Sequence, residues 1–237
     1  MSLSPRELAQ EKRKKVVLLI AKFGFSTRKI VCDLLGTTYG TQSVFFKKMI
    51  SDNLIIQNKR TGFLSEILTL SQDGFDLAKY YNPDSKFTFR RKLSFPNIVH
   101  ALSIQQFLVN GLNKFSDYQS ESELSVMNFH RRPDLMVITR DDKKMAIEIE
   151  LNQKGVSQIE YNFFQHYRDW KLNRFDSVCY VFDNEVIMKK YISVFSKDKW
   201  KTHDFFLGKL KETGEFDPVE LQENGVITFL YMDSFKF

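Results

Sequence analysis

Asp134, Glu148 and Glu150 are the side chains whose type and spacing could do chemistry in this sequence. Asp134 closes His130-Arg131-Arg132-Pro133 and opens the apolar run Leu135-Met136-Val137-Ile138. The two glutamates lie in Met145-Ala146-Ile147-Glu148-Ile149-Glu150-Leu151. Both stretches read as strands, joined by a polar turn at Arg140-Asp141-Asp142-Lys143-Lys144. The second alternates, with Ala146, Glu148 and Glu150 on one face and Ile147, Ile149 and Leu151 on the other. Three carboxylates then converge at the ends of neighbouring strands. Carboxylates this close repel unless a cation lies among them, and oxygen donors suit a hard divalent ion such as Mg²⁺. The plainer reading puts both glutamates on a solvated strand face and Asp134 at the end of a turn.

The elements around these residues come in two groups. With 237 residues, 43% of them hydrophobic and 14% aromatic, the chain can build one large core or two small ones. No apolar run is long enough to cross a membrane, and the basic, acid-containing start does not read as a signal peptide. Cys32 and Cys179 stand far apart in apolar segments, which predicts reduced core thiols in a cytoplasmic protein. No Cys/His cluster has zinc-ligand spacing. The net charge of +6 is uneven: residues 1–82 hold 13 Lys and Arg against 7 acids, while the remainder is balanced. That predicts a polyanionic partner for the first third of the chain.

In order, the sequence predicts a helix over 5–23 with a basic start, then a second helix through Leu35 capped by Ser26 or Thr27. Thr41 caps a third, carrying Val44, Phe45, Phe46, Met49 and Ile50. Strands at Leu54–Ile56 and Ile67–Leu70 flank a basic turn, and Ser71 opens a fourth helix. Three helices and a hairpin in this order resemble a winged helix-turn-helix, as does Leu68-Thr69-Leu70-Ser71-Gln72-Asp73-Gly74 at the exit of the wing. The resemblance implies a major-groove helix presenting Thr41, Gln42, Ser43, Lys47 and Lys48, with Lys59 and Arg60 at phosphates. A winged helix used for dimerisation is the competing reading.

Residues 83–95, with Lys86, Arg90, Arg91 and Lys92, read as a basic linker. Pro96 then starts a helix bearing His100, either a packed or a functional histidine. Leu124-Ser125-Val126 predicts a strand, preceded by Glu121 and Glu123. Beyond Lys154-Gly155 a helix runs from Ser157 to about Leu172, placing Gln158 and Tyr161 on one face, either at a nucleic-acid strand or in the core. Ser177–Phe182 is a strand buried on both faces, Glu185–Phe195 a helix, and the tail holds one or two edge strands near Phe205–Leu207 and Val226–Leu230.

Pro133-Asp134, a gap, then Glu148-x-Glu150 resembles the PD-(D/E)xK nuclease superfamily, with glutamate at the place usually held by lysine. Lys154 is the candidate replacement, or else an ordinary turn lysine. The whole order, from the predicted winged helix through Asn97-Ile98-Val99-His100 and Ser120-Glu121-Ser122-Glu123-Leu124 to the Glu148–Lys154 stretch, resembles the replication-relaxation proteins and MOBC-class relaxases of mobilisable plasmids. That resemblance implies an α+β or α/β chain: a winged helix over 1–82, a linker over 83–95 and, over 96–237, a nuclease-like domain whose mixed central sheet is flanked by helices. It implies a nicking relaxase in which Asp134, Glu148 and Glu150 hold Mg²⁺ or Mn²⁺ and Lys154 steadies the phosphate. The implied partners are duplex DNA at a transfer origin, an accessory relaxosome protein and a coupling protein, with no membrane insertion. The alternatives are a non-catalytic accessory factor or repressor and a restriction-type endonuclease.

Overall fold

The structure, a computed structural model, describes residues 4–38, 40–58, 66–87, 89 and 97–233. The chain divides into two compact units, with the division between Asn113 and Lys114.

The first unit opens with α1 (Pro5–Phe23), begun by a capping box between Ser4 and Glu7 with proline at the first helical position. It ends where Gly24 turns left-handed at φ 79° and gives its N–H to Ile20. Two residues, β1 (Ser26–Thr27), precede α2 (Arg28–Leu34), whose first turn Thr27 Oγ1 caps by accepting from the Ile30 N–H at 3.3 Å. A short 3₁₀ turn, Gly40–Gln42, leads into α3 (Ser43–Ser51). Strands β2 (Ile55–Asn58) and β3 (Ile67–Leu70) pair antiparallel, β1 adds to the far side of β3, and α4 (Gln72–Tyr81) follows under a Ser71 cap. Val16, Ile20, Val31, Phe46, Met49, Leu68 and Phe75 meet in one core. The expected helices and hairpin are thus present. Thr41 is not the cap of α3: it lies inside the 3₁₀ turn and donates to the Thr38 carbonyl at 2.9 Å.

Helix α5 (Ile98–Gly111) belongs to this first unit, not to the second as the sequence suggested. Gln105 donates to the Phe25 carbonyl at 3.0 Å and Gln106 to Asp33 at 3.1 Å, which ties α5 to the α2 region. The expected linker is also partly seated there, since the Phe87 and Phe89 rings lie 6.4 and 5.0 Å from Phe75. Arg90, Arg91, Lys92 and Pro96 lie outside the described residues, as do Lys59 and Arg60.

The second unit is built on a mixed five-stranded sheet. Strands β4 (Phe115–Ser120), β5 (Leu135–Thr139) and β6 (Lys144–Glu150) form an antiparallel meander. Helix α7 (Val156–Lys171) then carries the chain to β7 (Ser177–Phe182), parallel to β6. Next come α8 (Glu185–Phe195), a separate hairpin of β8 (Trp200–Phe206) and β9 (Lys209–Phe216), the short α9 (Val219–Glu223), and β10 (Ile227–Tyr231), parallel to β7. The tail therefore supplies one edge strand and one hairpin outside the main sheet. Between β4 and β5 the chain makes α6 (Glu121–Leu124), where a strand was expected at Leu124. The reason is local: Ser120 donates from N and Oγ to Glu123 at 2.9 and 3.0 Å, a capping box that starts a helix. Phe163, Tyr180, Tyr191, Phe182 and Trp200 fill the core.

Gly74 marks the tightest approach in the first unit, because a Cβ there would run into the Leu54 carbonyl oxygen. Gly74→Ala should lower stability by about 1–3 kcal/mol, read as a lower urea midpoint. Gly40→Ala, with nothing within 4 Å of its Cβ, serves as the control. An unchanged midpoint for Gly74→Ala would contradict this packing.

Candidate active site and nucleic-acid interface

Antiparallel pairing sets Leu135 opposite Ile147, and the ladder between the two strands ends there, with Asp134 just before it. The backbone fixes Asp134 at both ends: its N–H donates to the Ile147 carbonyl at 3.1 Å, and its Oδ2 accepts from the Ile149 N–H at 2.8 Å. Parallel pairing with β7 puts Glu148 beside Tyr180 and Glu150 beside Phe182. With only 1% and 3% of their surface exposed, Glu148 and Glu150 do not lie on a solvated strand face.

A buried carboxylate needs compensation, and here side chains provide it. Arg131 donates to Glu148 Oε2 at 2.5 Å, while His166 Nε2 lies 3.2 Å from Oε1. Burial alone would raise the Glu148 pKa, but Arg131 and His166 outweigh it and bring it to about 2. Burial raises the pKa of Glu150, and Lys154, donating to its Oε1 at 2.5 Å, offsets this only in part. Lys154 thus reaches back along the strand end, and its own carbonyl is held by Lys190 at 2.7 Å. Burial also drives the phenols of Tyr180 and Tyr191 upward, reinforced by the neighbouring glutamates. The Tyr180 hydroxyl is buried with no hydrogen-bond partner.

Helix α7 positions the loop that carries Arg131. Asp169, fully buried, accepts from the backbone N–H groups of His130 and Arg131 at 2.9 Å each. Its Oδ1 also meets His130 Nδ1 at 2.8 Å and Arg174 at 2.6 Å. His166 and Asp169 stand three residues apart, on one face of the helix. Sequence reasoning missed Arg131, His166 and Asp169, although the i, i+3 spacing and the position of Arg131 just before Pro-Asp were visible signals.

The remaining candidates are dispersed. Glu121 pairs with Arg132 at 2.8 Å on the surface, and Glu123 completes the capping box of α6 with Ser120. Gln158 donates to Asn162 at 2.9 Å, and Tyr161 packs edge-on against Phe205 at 5.2 Å. His100 lies on α5, in the first unit.

The predicted three-carboxylate cage is not formed: among the described residues, no group of three or more His, Cys, Asp or Glu is placed to hold a metal. Mg²⁺ is ordinarily held by one or two protein carboxylates, with water and phosphate oxygens completing the shell. Asp134 and Glu148 match that smaller requirement in residue type, while Asp134 is engaged by the Ile149 N–H, Glu148 by Arg131 and Glu150 by Lys154.

On the first unit, α3 exposes Ser43, Lys47 and Lys48, together with Val44 at 76%. Thr41 is exposed just before it. Gln42 is withdrawn from such a surface: the 3₁₀ turn buries it to 6% exposure. Lys48 also lies 3.4 Å from Asp52, which Arg13 contacts at 3.0 Å. Taken to its observed boundary, residues 1–113, this part of the chain holds 17 Lys and Arg against 8 acids.

No protein-family model matches the chain, and no curated protein does. A solved structure of Lactococcus lactis ZitR in its apo form is similar over 33% of this chain, at 18% identity and a TM-score of 0.29. The match spans 59% of that protein's length. A likeness this slight adds nothing to the reading of the site.

Linkage gives the acid response a definite sign. Glu148 titrates near 2 when folded against an ordinary 4.5, so its stabilising charge is fully present above 4.5 and is lost as pH falls toward 2. Urea unfolding across that window should show a loss on the order of 2–3 kcal/mol that Glu148→Gln lacks. Equal pH dependence in the two proteins would refute the buried pairing.

Proposed function

We propose that this chain is a DNA-nicking relaxase, in which the first unit binds duplex DNA and the second cleaves one phosphodiester strand. The reading rests on one observation above the others: the Asp134 carboxylate is held at the Ile149 N–H, the residue between the buried Glu148 and Glu150, with Lys154 reaching back from the strand exit. The antiparallel meander followed by a helical crossover to a parallel strand suits the PD-(D/E)xK arrangement suggested by the sequence. The helix, hairpin and β1–β3 pairing of the first unit likewise suit a winged helix. Its charge excess favours a polyanion there, with Ser43 and Val44 toward the groove and Lys47 among the basic side chains toward phosphates. A plasmid transfer origin is the proposed substrate, in the cytoplasm, with an accessory relaxosome protein and a coupling protein as partners.

Asp134 and Glu148 would hold Mg²⁺ or Mn²⁺, which when bound supplies a polarised phosphate and a water of lowered pKa. The chain's own residues do the rest. The backbone N–H of Ile149 orients the Asp134 carboxylate, and Asp169 fixes the preceding loop. Lys154 brings positive charge to the strand end and would steady developing negative charge on the phosphate. Glu150, its pKa raised by burial, is placed to take a proton once Lys154 moves to the phosphate.

A second reading, a non-catalytic DNA-binding accessory factor or repressor, is favoured by one observation. Each carboxylate of the cluster is already engaged, Glu148 by Arg131, Glu150 by Lys154 and Asp134 by backbone. Supercoiled plasmid separates the two. The relaxase should nick it only with Mg²⁺ or Mn²⁺, and Asp134→Ala should abolish nicking while duplex binding is retained. Lys154→Ala should slow nicking about 10²-fold, the scale of losing one transition-state donor, and Lys143→Ala in the hairpin turn should leave it unchanged. Nicking in EDTA, or by Asp134→Ala, would refute this site, and no nicking under any condition would leave the accessory-factor reading.

The interface carries its own test. Lys47→Ala in the full chain should weaken duplex binding evenly across sequences and reduce the slope of log affinity against log salt by about one. An unchanged slope would remove α3 from the DNA contact.

A further inference from the structure

The five-stranded sheet of the second unit ends in two edges of opposite character. The β4 edge is guarded: its ladder shifts register between Phe115 and Asp117, and Asp117 puts an exposed charge on the strand. The β10 edge carries no such device. From Val226 to Met232 the sequence contains no charged residue, proline or glycine, and β10 pairs with β7 without a register shift. Leu230 and Tyr231 are exposed on it, at 42% and 43%. An uncharged, β-prone strand left open in this way is a template for another strand.

The backbone of β10 defines what fits there. The Val226 carbonyl accepts from the Val178 N–H, and the Met232 N–H donates to the Phe182 carbonyl, each at 2.8 Å. Even-numbered residues therefore face β7, and by alternation Ile227, Phe229 and Tyr231 turn their N–H and C=O groups outward. These outward residues, spaced by two, can meet the same residues on an identical strand running the other way. With Phe229 opposite its own copy, Ile227 falls opposite Tyr231 and Thr228 opposite Leu230. Each outward pair then exchanges both of its hydrogen bonds, about six in all. A strand without charge meets no like charge in its copy, and a two-fold axis closes the assembly.

We propose that β10 is a dimerisation edge, pairing antiparallel with β10 of a second copy of this chain about a two-fold axis at Phe229, so that one sheet runs through both second units. Neither this pairing nor its test depends on the nicking activity or on a metal.

Sedimentation of the full-length protein over a range of concentrations should show a monomer–dimer equilibrium. Leu230→Lys places two ammonium-bearing residues as diagonal neighbours across the axis, roughly 7–8 Å apart, and should weaken the dimer on the order of tenfold or more. Leu230→Val, uncharged and β-prone, should keep it. A second measurement needs no variant: hydrogen exchange over residues 227–231, read by mass spectrometry, should slow as rising concentration forms the dimer. If Leu230→Lys lowers the melting temperature, the exchange measurement decides. A monomer at every concentration overturns the proposal. So does a dimer that folded Leu230→Lys leaves intact, or one whose formation leaves exchange over 227–231 unchanged, since such a dimer joins through another surface.

Discussion

The charge of Glu148, buried in the middle of a sheet, is the constraint on which the second unit depends. An isolated carboxylate in such a place would cost several kcal/mol, so the surroundings must supply a cation. Arg131 supplies it from the loop before β5 and His166 adds a polar edge from α7. The requirement then propagates. Arg131 must be held in place, and Asp169, one helical turn beyond His166, takes two backbone N–H groups of that loop. Asp169 is itself a buried charge, answered by Arg174 and His130. One charge in β6 therefore fixes a loop, a helix face and the helix end beyond it.

Much of this arrangement was legible in the sequence because its signals are local. Alternation in Met145–Leu151, the apolar run at Leu135–Ile138 and the polar turn between them are enough to write β5 and β6. The same holds for Ser71 and Thr27, which cap helices where their side chains and spacing suggest. The strand expected at Leu124 was lost to a signal of the same kind: Ser120 and Glu123 form a capping box, which overrides a short β-prone triplet. What was not legible is what depends on chain crossing. The pairing of Asp169 with the loop before β5 exists only because α7 packs back against that loop, and Arg131 meets Glu148 only across the β5–β6 hairpin. Gln42 illustrates the smaller case, in which a 3₁₀ turn rotates a plausible base-reading side chain into the core.

The domain boundary was misplaced for a related reason. A basic, proline-containing stretch at 83–95 has the composition of a tether, and composition was the only guide available. Phe87 and Phe89 contribute aromatic area against Phe75, and α5 adds Gln105 and Gln106 to the α2 side. The first unit thereby gains a helix and four more basic residues than the sequence assigned to it, while residues 114–237 carry 18 Lys and Arg against 21 acids. The charge asymmetry between the two parts is larger than the sequence boundary implied.

Stability alone does not account for the composition of the second core. A buried ion pair seldom stabilises a fold better than apolar side chains of similar volume, because desolvation consumes most of the Coulomb gain. Phe163, Tyr180, Phe182, Tyr191 and Trp200 show that this sequence can fill a core with aromatic rings. Among them it nevertheless places Glu148, Glu150 and His166, and leaves the Tyr180 hydroxyl without a partner. Surface exposure does not explain these groups, and neither does hydrophobic packing. Two carboxylates, a lysine and an arginine are held together at the ends of neighbouring strands, kept dry enough for their charges to act strongly on one another. The cost to the fold and the capacity of the site then have the same origin.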